Sequence, residues 1–205
     1  MKINKEIFMK PLSKGNPVLV LVLGICSALA VTAQVKPALV MGISVVVVTA
    51  FANVIVSLLR NSIPNRIRII VQLVVVAALV IIVEQVLKAF AYEMWKQLSV
   101  FIGLIITNCI LMGRLEAFAL GNKPFESFID GIANGLGYAI VLFIVAFFRE
   151  LLGSGTLFGY QVIPQALYDA GYSNNGLMIL PPMALIVVAC IIWVHRAINK
   201  DLQEK

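Results

Sequence analysis

Charge is what this sequence has least of. Lys, Arg, Asp and Glu make up 13% of its 205 residues, about half the share found in an ordinary soluble domain. That shortage excludes a chain that meets water over most of its surface. Histidine is almost missing too, with His195 alone, set beside Arg196 at the end of the last apolar run and read as interfacial. No Ser/His/Asp set, zinc-hydrolase motif or nucleotide-binding motif is present. "GSGTLFG" at 153–159 has the wrong spacing for a phosphate loop and follows no strand, so it reads as a plain loop. The cysteines Cys26, Cys109 and Cys190 are too few and too scattered for a disulfide framework, and too apolar in setting for extracellular bridges. No connection is long enough to hold a separate catalytic domain.

What the chain has in abundance is hydrocarbon. Hydrophobic residues make up 61% of it, the mean hydropathy is +1.00, and apolar runs near the ~20 residues that cross a bilayer recur along it. The sequence predicts an all-α integral membrane protein, a single transmembrane domain over 1–205 with six spans at 17–33, 37–59, 67–91, 98–113, 131–150 and 177–196. "QVKP", "RNSIPNRIR", "AYEMWKQ" and "GNKPFESFID" separate the first five. The longest connection carries "IPQALYDA", a candidate short surface helix. Lys2, Lys5, Lys10 and Lys14 before an apolar run ending in "ALA" resemble a cleaved signal. Five further spans, and Ile25 where a lipoprotein signal wants a small residue, favour a retained first span. Tyr92, Trp95 and Trp193 fall at span ends, as interfacial aromatics do. Twelve of the 16 Lys and Arg lie on one set of alternate connections; Lys36, Lys88, Lys96 and Arg149 lie on the other. The positive-inside rule then puts both termini in the cytoplasm.

The two halves of the chain share a layout. Spans 1 and 4 are the short ones, and each holds a cysteine among small or polar residues: Cys26 with Gly24, Ser27 and Thr32, Cys109 with Gly103, Thr107, Asn108 and Gly113. Three spans per half make the second half enter from the opposite face. Paired short or broken spans at matching positions point to two inverted three-helix repeats, about 10–92 and 97–197, with a site near the bilayer midplane. Counted as helix, Cys26 lies about 14 Å past Pro17 and Cys109 about 17 Å past Leu98, both near the middle of a ~30 Å core. Cys190, about 6 Å from its span end, does not share that level.

Two thiols at one depth have several uses. They are soft packing residues in many membrane helices. As thiolates they suit zinc, cuprous copper or an iron–sulfur cluster. A cluster wants four ligands, so a pseudo-symmetric partner of opposite orientation would supply the other two. Short or broken helices free backbone N–H groups near Gly24, Ser27, Thr107 and Asn108 to soften the negative charge of such a site. Spacing alone does not choose among the metals.

Long stretches then carry a family resemblance: "NPVLVLVLGICSALAVT" at 16–32, "TAFANVIVSLLRNSIPNRIRIIVQ" at 49–72, "LSVFIGLIITNCILMGRLEAFA" at 98–119, "SFIDGIANGLGYAIVLFIVAFFRELLGSG" at 127–155 and "NGLMILPPMAL" at 175–185. Over nearly its whole length the chain resembles the NqrD/RnfE family of membrane subunits. These occur in the sodium-translocating NADH:quinone oxidoreductase (Nqr) and the ferredoxin:NAD oxidoreductase (Rnf). Rnf members typically carry a proline after the first cysteine; Ser27 stands there here, which favours the Nqr side. The resemblance implies a subunit of a translocase in the bacterial inner membrane, with no complete active site of its own. It implies that Cys26 and Cys109 hold a [2Fe–2S] cluster jointly with two cysteines of a homologous NqrE-type protein of opposite topology. Electrons from NADH would enter through an FAD subunit, pass this centre, and go on to FMN, riboflavin and ubiquinone in the remaining Nqr subunits (A, B, C and F complete the complex) while Na+ is pumped.

Acidic residues are the other candidates. Glu84, Glu116, Asp130 and Glu150 lie near span ends, where an ionisable group is costly unless paired or wetted. Glu84, Glu116 and Asp130 are candidates for an ion path, although Lys88 four residues on offers Glu84 a local partner. Arg149 and Glu150 read as anchors of span 5. Gly131 and Gly135 form a G-x-x-x-G, the mark of a close helix contact. Three functions compete: a redox subunit, with the Nqr type preferred to the Rnf type; a stand-alone inverted-repeat transporter, which needs no thiols; and a scaffold whose cysteines only pack.

Overall fold

The computed structural model describes Pro11 and residues 15–64, 66–161 and 175–199. Within them the chain is almost wholly helical: α1 (Ile25–Val31), α2 (Val35–Leu59), α3 (Arg68–Phe90), α4 (Tyr92–Ile106), α5 (Cys109–Arg114, prolonged by a π-helical turn Leu115–Ala119), α6 (Pro124–Ser154) and α7 (Pro181–Ile198). Five helical stretches are long and apolar enough to cross a membrane, α4 and α5 counting together. The only strands among the described residues are β1 (Thr156–Leu157) and β2 (Tyr160–Gln161). They make of "GSGTLFG" a tight hairpin rather than a plain loop, turning through Phe158 and Gly159, both at positive φ as a two-residue hairpin prefers.

Helices α2 and α6 form the centre. On α2, Ala38, Met41, Val45, Val48, Ala52 and Val56 recur at three- and four-residue intervals and are buried. Tyr138, Val141, Leu142, Val145 and Ala146 of α6 are buried too. Small residues let the two backbones close up, as the G-x-x-x-G predicts. A Cβ on Gly135 would stand 2.8 Å from Val46 Cα, one on Gly131 2.8 Å from Ala50 Cα, and one on Gly42 3.0 Å from Ala139 Cβ. As numbers rise along α2, their partners on α6 fall, so the two helices are antiparallel. Helices α3 and α7 are peripheral. Ile69, Ile70, Val74, Ile81, Ile82, Val86 and Phe90 of the former, and Leu185, Ile186, Trp193, Val194 and Ile198 of the latter, are exposed. Such faces would be a liability in water; in a bilayer they meet lipid.

The span limits depart from the sequence reading in five places, the last being span 6, which is helical over Pro181–Ile198 and not 177–196. Span 1 is not a helix over 17–33: residues 15–24 are turns, and only Ile25–Val31 is helical. Asn16 caps a single turn that does not continue: its Oδ1 accepts from the N–H groups of Val18 and Leu19 at 2.9 and 3.3 Å and its carbonyl from Val20 N at 3.0 Å, as at a helix start. Its Nδ2 donates to Gly137 O at 3.1 Å, pinning the turn to α6. Val22 at φ 57° and Gly24 at φ 79° then turn the chain sharply before α1. The depth of Cys26 counted as helix from Pro17 therefore has no basis. Span 4 extends beyond 98–113 at both ends and is split in two at Thr107–Asn108. "AYEMWKQ" is not a connection: Ala91 alone separates α3 from α4. Span 5 starts at Pro124 instead of 131, with proline at a first-turn position that suits it. At 31 residues α6 is about 46 Å long, longer than a hydrocarbon core. A 3₁₀ turn, Gly176–Ile179, precedes α7. "IPQALYDA" and the first ten residues lie outside the described residues.

Candidate functional site

The two breaks meet. Cys26 is the second residue of α1 and Cys109 the first of α5, so each thiol sits where a helix starts inside the bundle and first-turn N–H groups have no helical acceptor. Gly24, at the head of α1, is packed so closely on the other arm that a Cβ there would stand 2.7 Å from Ile110 Cδ1. Its left-handed conformation also calls for glycine. Gly113 of α5 meets Leu23 in the same way, at 3.3 Å. Beside the thiols, polar groups close a small network. Ser27 Oγ donates to Gly24 O at 3.0 Å, accepts from Asn108 Nδ2 at 3.3 Å, and lies 2.5 Å from the Tyr138 hydroxyl. Asn108 Oδ1 caps α5 by accepting from Ile110 N at 3.1 Å. Ser27, Asn108 and Tyr138 are all buried, whereas both cysteines are exposed. The polar side chains face inward and hold the arms together, and the thiols face out of the protein. Cys190 is exposed as well, but on α7 in an apolar groove of about 630 Å³ with Leu19, Phe148, Leu152, Met183 and Ile191.

Two exposed thiols beside the joined helix breaks would be half of a four-thiolate donor set. Among the described residues no group of three or more His, Cys, Asp or Glu gathers to hold a metal, and with three cysteines in all the chain alone does not complete a four-thiolate set. The residues present fit such a half-site, with soft donors and a buried polar tie between the arms, although the N–H of Asn108, expected free, donates to Ile105 O and that of Ile110 to Asn108 Oδ1.

Comparison with known proteins gives the family. A family model described as "Rnf-Nqr subunit, membrane protein" matches residues 4–192. The chain belongs to the Rnf-Nqr family. It is 55% identical over 201 residues to a Haemophilus influenzae protein named as the D component of the Na(+)-translocating NADH-quinone reductase, covering 98% of this chain and 97% of that one. A Photobacterium profundum protein of the same name is 57% identical over 195 residues, covering 95% and 93%. One from Yersinia enterocolitica is 52% identical over 201 residues, covering 98% and 96%. As a Rnf-Nqr subunit the chain is a multi-pass membrane protein.

The acidic residues of this Rnf-Nqr chain occupy separate places. Asp130 is buried on α6 and takes a two-pronged bond from Arg114, with Nε at 2.9 Å, and a further bond from Asn134 at 3.0 Å. Glu116 is paired with Arg68 and accepts from Gln72 Nε2 at 3.1 Å. Glu84 accepts from Trp95 Nε1 at 3.3 Å, and Lys88 lies over the Trp95 ring, 5.0 Å from its centre. Sixteen residues of α3 separate Arg68 from Glu84, about 24 Å of helix rise, so the three acids do not form one chain of neighbours.

Several working residues escape a sequence reading. Tyr138, Asn53 and Gln72 stand alone in apolar runs, and a polar residue in a membrane span is by default a functional or structural signal. Arg149 and Glu150 do more than anchor span 5. Arg149, although buried, donates to Thr32 Oγ1 (2.5 Å), Leu29 O (3.4 Å), Met178 O (3.1 Å) and Ile179 O (2.6 Å). It thereby closes the C-terminal end of α1 onto the 3₁₀ turn. Glu150 accepts from Val35 N at 2.5 Å, at the start of α2. On the opposite half, Ser57 Oγ of α2 and Nη1 of Arg60, the residue that ends it, donate to Asn122 O, at 2.7 and 3.0 Å, in the connection from α5 to α6. The C-terminal end of each central helix grips the connection that follows the other half's broken span.

Proposed function

We propose that this chain is the NqrD-type membrane component of a bacterial Na+-translocating NADH:quinone reductase. On this reading Cys26 and Cys109 supply half the ligands of a [2Fe–2S] cluster, and a homologous NqrE-type protein of opposite topology supplies the other two cysteines. The observation that carries the reading is the pairing of two outward-facing thiols at the heads of α1 and α5, tied behind by Ser27, Asn108 and Tyr138. The names of the relatives support the complex; the thiol face supports this chain's part in it.

Bound there, such a cluster supplies one-electron carriage within the membrane. The chain's own work is to hold the two thiolates, to offer N–H groups at two helix starts, and to keep water from their inner side. Its buried polar groups are bonded to one another behind the thiols, and apolar helices enclose them. FAD, FMN, riboflavin and quinone belong to the other Nqr subunits, A, B, C and F among them. The chain lies in the inner membrane with both termini in the cytoplasm, on the strength of its Lys and Arg distribution. Glu84, Glu116 and Asp130 remain candidates for the ion path of the complex, with Glu116 and Asp130 requiring release from their arginines to take part.

Iron content and the reduced-state EPR signal of the purified complex test the reading in Cys26→Ser, Cys109→Ser and Cys190→Ser. The expected result is loss of one cluster's iron in the first two and none in the third. Iron retained in all three removes the ligand assignment and leaves a transporter or a scaffold.

A further inference from the structure

The hub of the network between the two breaks is a single hydroxyl. Ser27 Oγ has one hydrogen and two lone pairs. Its hydrogen is used on Gly24 O at 3.0 Å, and one lone pair takes Asn108 Nδ2 at 3.3 Å. The Tyr138 hydroxyl at 2.5 Å must therefore be the donor in its bond with Ser27. With that assignment Ser27 is fully satisfied. Ser27 follows Cys26 and Asn108 precedes Cys109, so the bonds tie the residues next to the two thiols. Tyr138 comes from a third element, the central helix α6, where it is completely buried, and its ring edge packs on Gly24, Cε2 lying 3.2 Å from where a Cβ would stand. Neither arm has a long helix behind it: α1 has seven residues and α5 six before its π-helical turn. Arg149 holds the far end of α1; at the thiol end the two arms are joined by contact with each other and by this one side chain.

We propose that Tyr138 is a positioning residue for the Cys26–Cys109 pair: its hydroxyl, donated to Ser27, fixes the spacing and orientation of the two thiolate arms relative to α6. The proposal rests on the cluster reading above and adds a residue to it that is no ligand. Groups bonded to ligand-bearing elements tune a metal centre without touching it. Removal of one such bond should leave the iron in place while letting the arms take a range of separations.

The test uses the whole purified complex carrying Tyr138→Phe, Ser27→Ala, both together, and Tyr160→Phe, an exposed hairpin residue, as control. Iron content, reduced-state EPR line shape and midpoint potential are compared with the parent. The expected result is unchanged iron, broadened lines, and a potential shift that changes the reduced-to-oxidised ratio at the parent's midpoint roughly two- to tenfold, the worth of one hydrogen bond. The double variant should go little beyond Ser27→Ala alone, since Ser27→Ala already removes the one bond that Tyr138→Phe removes. Should Tyr138→Phe not assemble, Ser27→Ala is read instead: it removes the acceptor of the Tyr138 hydroxyl together with the bonds to Gly24 O and Asn108, so a parent-like spectrum there overturns the proposal. Parent-like spectra and potential in both single variants, or fully additive effects in the double, overturn the proposal. Cys26→Ser and Cys109→Ser alongside separate two kinds of failure. Iron lost there with a parent-like Tyr138→Phe spectrum overturns only the role of Tyr138; iron retained there overturns the cluster reading and this inference with it.

Discussion

Glycines carry much of the close packing in this chain, and they are not equivalent. At Gly24 two penalties coincide. An L-residue in the left-handed region costs about 1–2 kcal/mol, and its Cβ would press on Ile110 Cδ1 at 2.7 Å. That atom ends a flexible side chain and can swing aside, so Gly24→Ala should destabilise mainly through backbone strain. At Gly135 the conformation is ordinary helix, but the Cβ would meet Val46 Cα at 2.8 Å, and backbone cannot swing aside. There α2 and α6 must separate, with loss of contact along both. Gly103 has nothing within 4 Å of its Cβ position, and alanine there gains roughly 0.4–1 kcal/mol by restricting the unfolded chain. Thermal unfolding midpoints of the purified complex should therefore fall in the order Gly103→Ala, parent, Gly24→Ala, Gly135→Ala. Ile110→Ala added to Gly24→Ala should recover little. A full recovery would mean that side-chain overlap, not φ, makes glycine necessary.

Among elements, the half-helix α1 poses the plainest problem: seven residues do not hold a helix in isolation. Arg149 answers it by closing the end of α1 while Glu150 caps the start of α2. Arg149→Ala strands buried neutral acceptors and should destabilise by about 1–3 kcal/mol for each one left unpaired. Arg149→Lys should recover only part of this, because an ammonium lacks the planar fork. Glu150→Gln keeps an acceptor for Val35 N and should lose about 1 kcal/mol. Yield and melting temperature of the complex check the order; equal behaviour of Lys and Ala at 149 would mean that charge contributes nothing. The sequence makes part of this element legible. Short apolar runs with cysteine, glycine and polar residues at their centres mark where helices break. It does not reveal that the stretch before Cys26 is turn rather than helix, because the deciding bonds, from Asn16 to Gly137 and from Ser27 to Asn108 and Tyr138, join residues 81 or more apart in the chain. Hydropathy marks the apolar middles of α4 and α6 and misses their ends, since Tyr92–Gln97 and Pro124–Asp130 are polar enough to look like connections yet continue the helices.

For the whole molecule, the contacts sort into two ends. At one lie Arg60 on Asn122 O, Arg68 with Glu116, and Ser57 on Asn122 O. At the other lie Glu150 on Val35 N, Arg149 on Thr32 and Met178 O, and Trp95 on Glu84. The antiparallel pairing of α2 with α6 requires this division, and it is what two inverted three-helix repeats would produce: the connection after α1 belongs to one end and the connection after α5 to the other. Lys36 at the first and Lys123 at the second are both exposed, so each marks its end. The end that holds Lys123 gathers Arg60, Arg66, Arg68 and Arg114 as well, so it is the end that the orientation proposed above, by the positive-inside rule, puts in the cytoplasm. Lys123→Cys should then react with a membrane-impermeant thiol reagent only in inverted vesicles, and Lys36→Cys only in intact spheroplasts, each measured above the labelling of the parent with its three native cysteines. Labelling of both from one side would contradict the inverted arrangement. Labelling from opposite sides but in the reverse sense would keep the two repeats and turn the protein over in the membrane, placing both termini outside.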